Sequence, residues 1–169
     1  GDSTKEGPSV ENPAREAKLS RVDLSFSMSQ SYTPKKYPDD YRCFMMDWVA
    51  GANEGYVTGF RANPGNLAVA HHVIAYLIPP GEVETIEALD AAEPEYGYEC
   101  FGGPGTSGRF EWLGAWAPGS RGYDSPEGTG IELIEGSKIV LQVHYNSFDT
   151  SPGPDQTSVD LKIDPEVER

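Results

Sequence analysis

Glycine and proline cut this chain into short pieces. The 19 glycines and 14 prolines fall in nearly every gap between runs of branched and aromatic residues. Runs bounded in this way by turn formers are what β-strands look like in sequence. Eight runs qualify: 21–28, 41–48, 56–62, 69–78, 110–117, 130–134, 138–146 and 158–163. No stretch approaches the roughly 20 apolar residues that a bilayer-spanning helix needs. One segment has a different period. After Pro79, Pro80 and Gly81 close the fourth run, Val83, Ile86, Ala88 and Leu89 give a weak helical face, so Glu82 to Ala92 reads as a short helix stopped by Pro94. About eight strands, Gly/Pro turns and little helix predict an all-β fold, an antiparallel jelly-roll β-sandwich.

The 169 residues suit one domain with a sizeable core. Residues 1–17, polar and carrying Pro8 and Pro13, read as a flexible lead, and 18–165 as the single domain. The stretches 102–108, 118–130 and 149–156 read as long loops. Thirteen basic against 27 acidic side chains leave a net charge of −14. That field repels duplex nucleic acid, and because the acids are scattered from Glu6 to Glu168, their simplest role is solubility.

The only two cysteines, Cys43 and Cys100, admit three readings: buried thiols, metal ligands or one disulfide. A compact β-domain of extracellular character favours the disulfide, and with it an oxidising compartment: secreted, periplasmic or surface-anchored.

The three histidines carry most of the chemical information. They fall as a pair, His71 and His72, inside one β-rich run and as a single His144 inside another. Stiff strand backbone is what a metal site requires of its ligands, and imidazole suits copper, zinc, iron and nickel, with divalent copper bound most tightly. Strand alternation sets a condition on this reading. Successive side chains point to opposite faces, so His71 and His72 converge on one ion only at a bulge or a strand end. In the run 138–146, Ile139, Leu141, Val143 and Tyr145 share one face, and Val140, Gln142, His144 and Asn146 the other. Gln142 therefore lies beside His144 and is a candidate to orient an imidazole or a bound water.

Taken in order, these segments resemble the copper type II, ascorbate-dependent monooxygenases, typified by peptidylglycine alpha-hydroxylating monooxygenase and dopamine beta-monooxygenase. The resemblance is carried by Asp40 to Met46 (DYRCFMM), Ala70 to Ala75 (AHHVIA), Tyr98 to Phe101 (YECF), Leu113 to Ala117 (LGAWA), a Pro/Gly loop ending at Gly130, and Gly136 to Asn146 (GSKIVLQVHYN). Together they span about two thirds of the chain. The resemblance implies two jelly-roll domains in the whole enzyme, each binding one copper, of which this chain is similar to the N-terminal, electron-storing one. On these positions it implies that His71, His72 and His144 ligate one copper ion, that Cys43 pairs with Cys100, and that Tyr41 and Gln142 lie near the metal. It also implies ascorbate as the reductant.

The chain departs from the family in two places. Val73 stands where peptide-processing members carry a methionine after the histidine pair. The family's second copper site, a His-x-His plus Met set, has no counterpart, since no further histidine exists here. The expected partner is therefore a second copper domain absent from this sequence. The alternative is that this is a standalone copper-binding or electron-transfer protein served by a separate redox partner.

Overall fold

The computed structural model describes residues 18–47, 54–149 and 151–168. The polar lead, Trp48 at the end of the second expected run and Thr150 in the last expected loop lie outside them. Among the described residues, ten strands and one helix follow in the order β1 (Leu24–Ser27), β2 (Asp39–Met46), β3 (Tyr56–Asn63), β4 (Ala70–Ile78), α1 (Pro80–Ala92), β5 (Tyr98–Glu99), β6 (Glu111–Trp116), β7 (Tyr123–Asp124), β8 (Ile131–Glu132), β9 (Lys138–Asn146) and β10 (Ser158–Asp164). They form two antiparallel sheets: β1-β10-β3-β7 with β8 also paired to β3, and β5-β2-β9-β4-β6. The all-β sandwich expected from the sequence is what the chain adopts.

All eight expected runs appear as strands, and two more are present. Both additions, β5 and β7, are two residues long, too short for alternation to show in sequence, and β7 lies inside the stretch expected to be a loop. The helix starts at Pro80 rather than Glu82, with no side-chain cap. Proline is well tolerated in the first turn, where its missing N–H would have no partner anyway.

The inner faces of the two sheets make one core. From the second sheet come Phe44, Met46, Ala70, Val73, Ala75, Leu77, Leu113, Ile139, Leu141, Val143 and Tyr145, and from the first Phe26, Val57, Phe60, Val159 and Leu161. Gly114 on β6 is needed for this closure. A Cβ built there would stand 2.4 Å from the ring of Phe60, so a side chain would force the sheets apart.

The outer face of the second sheet divides in two. At one end Val140, Tyr76 and Ile78 form a smaller cluster with Ile86 of α1, Tyr98 and the two cysteines. Cys43 and Cys100 are joined in a disulfide, Cα to Cα 5.8 Å, buried beside this cluster. The bond agrees with an oxidising compartment. No helix among the described residues is long and apolar enough to cross a membrane. At the other end, uncovered by the helix, lie the histidines.

Candidate metal centre

The outer faces of three neighbouring strands stack side chains in rows. Strand β9 is central, paired to β2 on one side and β4 on the other. Val140 sits opposite Met45 and Tyr76, Gln142 opposite Cys43 and Ile74, and His144 opposite Tyr41 and His72. The last row is the candidate site, and its place at the open end of the sheet follows from this register.

His71 joins the row through an irregularity in the pairing. Ala70 pairs with Tyr145 and His72 with His144, so two residues advance on β4 while one advances on β9, and His71 is the extra residue. This is the bulge that convergence of adjacent histidines demands. Ala70 and Val73 keep their places in the core while both imidazoles turn outward. The loop before β4 helps hold the bulge. Asn66 accepts the backbone N–H groups of Val69 and Ala70 at its carbonyl, and its own N–H donates to the buried carboxylate of Asp155 at 2.8 Å. The backbone N–H of Asn146 donates to the carbonyl of Val69 and closes the strand end.

As a result, each histidine offers one ring nitrogen, and the three lie within 4.8 Å of one another. His144 is buried, His72 half-buried and His71 exposed. The Nδ1 atoms of His72 and His144 are 3.2 Å apart. Burial lowers the pKa of His72, and the neighbouring charges of His144 and His71 push it the same way. A neutral imidazole with its lone pair free is the form that binds a metal. The three side chains thus form a group that could hold one metal ion.

Tyr41 and Gln142 have different surroundings. The Tyr41 ring lies flat on His144, centroids 4.1 Å apart and 3° from parallel, and the exposed Phe101 stands edge-on against it at 5.0 Å. Gln142 shares the face, but its amide donates to the Gly103 carbonyl at 3.0 Å and toward Cys100 Sγ at 3.6 Å. Its visible work is to fasten the loop that follows the disulfide.

Sequence reasoning missed Asp39. Its Oδ1 lies 2.8 Å from His144 Nε2 and also accepts from the Asn146 side-chain amide at 2.8 Å. The amide of Asn146, followed by the contact with His144, holds the Asp39 carboxyl below its ordinary pKa. Two-residue alternation puts Asp39 on the face of Tyr41, which was a usable signal. The pairing of Asp39 with Asn146 was not, because strand register is absent from the sequence of one strand.

An open, mostly apolar cleft begins at His72 and is lined by Ile74, Ala115, Trp116, Ala117 and Ser120. His71, the exposed member of the three, leaves this end of the cluster open to solvent. No known family model matches this sequence, and no curated protein matches it.

Proposed function

We propose that this chain is a mononuclear copper-binding domain equivalent to the electron-storing N-terminal half of a copper- and ascorbate-dependent monooxygenase. The observation that carries the reading is the bulge at His71, which brings adjacent strand histidines and His144 to one point on an open surface. Side-chain alternation alone would part them.

The donor set fits copper. Three imidazoles on stiff backbone suit a divalent ion at the tight end of the Irving–Williams series, and the depressed pKa of His72 keeps it available as a neutral ligand near neutral pH. Bound copper would supply one-electron exchange between its cupric and cuprous states. Four of the segments that carry the family resemblance are remote in sequence and adjacent in space. Tyr41 and Cys43, the pair at 71 and 72, Cys100 with Phe101, and Gln142 with His144 all meet at this end of one sheet or beside it. In this reading His71, His72 and His144 bind the metal and Tyr41 shields one face of His144. Ascorbate is the reductant, with the cleft beside His72 as open approach. The partner is a second copper domain that activates oxygen for C–H hydroxylation, in a secreted, periplasmic or surface-anchored protein.

Copper titration followed by electron paramagnetic resonance tests the reading. One equivalent with a nitrogen-rich type II signal, lost in His144→Ala, is the expected result. A chain that takes up no stoichiometric copper, or binds it equally without His144, would refute it.

A further inference from the structure

The contact between Asp39 and His144 decides which nitrogen of His144 can face a metal. An ionised carboxylate only accepts hydrogen bonds, so at 2.8 Å from Asp39 Oδ1 the Nε2 of His144 must be the protonated nitrogen. In neutral imidazole the other nitrogen then carries the lone pair, and that atom, Nδ1, is the one turned toward His72. Asp39 is itself held. Asn146, its register partner across β2 and β9, donates its side-chain amide to the same Oδ1 at 2.8 Å.

We infer that Asp39 is the positioning residue of this metal centre: its carboxylate, steadied by Asn146, fixes the Nε2–H tautomer and ring orientation of His144 so that Nδ1 is presented to the ion. The inference rests on the three-histidine group being the metal site. A carboxylate behind a ligating imidazole also makes that imidazole more basic and adds negative charge near the ion, which favours the higher oxidation state. Neither His71 nor His72 has such a partner among the described residues, so His144 is the anchored ligand of the three.

The pair Asp39→Ala and Asp39→Asn separates orientation from charge. Alanine removes both. Asparagine keeps an oxygen that can accept from Nε2–H and Asn146 but drops the charge. With copper as the probe, Asp39→Ala should weaken binding about 10- to 100-fold. Asp39→Asn should recover much of that affinity while shifting the copper midpoint potential upward. In the metal-free protein, nitrogen-15 NMR of the imidazoles should show His144 as the Nε2–H tautomer in the wild type and as a mixture in Asp39→Ala. Asp39 sits at an exposed strand end, its side chain 43% accessible, so both variants should fold. Wild-type protein that binds one equivalent of copper, with unchanged affinity and potential in both variants, would overturn the role of Asp39 alone. Wild-type protein that binds no stoichiometric copper would overturn the proposed function and this inference with it.

Discussion

The outer faces of the two sheets carry polar side chains on the same kind of scaffold and use them in opposite ways. On the first sheet the polar groups satisfy one another. Asp160 accepts from Ser25, Arg61 and Asn63; Asp164 from Thr58 and Arg21; Asp124 from Ser20 and Lys162. On the second sheet three imidazoles face one another, with Asp39 the one carboxylate hydrogen-bonded to any of them among the described residues. A closed network of donors and acceptors holds a surface in place. A cluster of like nitrogens with lone pairs to spare is a place where something else can bind.

The sharpest break between the two faces should come from a single ligand. His144→Ala is expected to abolish stoichiometric copper binding, whereas Arg61→Ala on the other sheet should leave it unchanged. Isothermal titration of both variants against copper checks this. Equal losses would mean that the two faces are not functionally distinct.

The disulfide lies one row from the histidines, yet its part in the comparison is structural. Cys43→Ser opens a loop with a sequence separation of 57. The chain-entropy model gives a cost of about 4 kcal/mol for a loop of that length. Denaturant unfolding should show a loss of that order, while the copper stoichiometry stays at one. Parallel loss of metal would place the disulfide in the site after all.

A smaller effect is expected at the centre of the closed network. Asp160→Ala strands Ser25, Arg61 and Asn63 and should cost about 1–3 kcal/mol, the penalty for leaving partly buried polar groups unpaired. Its copper affinity should match the wild type, which titration of the same sample would show.

The smallest effect separates the faces by pH. In the metal-free protein His72 has a folded pKa below its ordinary 6.5, so the unfolded chain takes up the proton first and stability falls as pH drops below about 6.5. Burial alone would raise the Asp124 carboxyl, but hydrogen bonds from Ser20 and Lys162 outweigh it and bring it to about 2. Its contribution is therefore present above the unfolded value near 3.8 and disappears as pH falls toward 2. Melting curves across pH should show His72→Phe flattening the upper limb and Asp124→Asn the lower. Copper affinity should fall below about pH 6, as protons compete for imidazole.

Much of this molecule is legible in its amino-acid sequence. The apolar alternation of 138–146 correctly separates Ile139, Leu141, Val143 and Tyr145, which lie in the core, from Val140, Gln142 and His144 on the outer face. Strand geometry requires a bulge or a strand end for His71 and His72 to meet, and the pairing of β4 with β9 supplies the bulge. Gln142 shows the limit of such reasoning. Its face is right, but its hydrogen-bond partners, Gly103 and Cys100, come from a loop whose path no alternation pattern encodes.

The sequence by itself determined eight of the ten described strands, the sandwich, the three histidines that could hold a metal and the outer face on which His144 stands. These are local consequences of a two-residue period interrupted by glycine and proline. Only the tertiary structure decided that β9 lies between β2 and β4, with His144 in register with both Tyr41 and His72. It alone set Asp39 behind His144, whereas the pairing of Cys43 with Cys100, the only two cysteines, was already expected from the sequence. Register is a pairing of segments far apart in the chain, fixed jointly by core packing and turn geometry, and no single segment carries it.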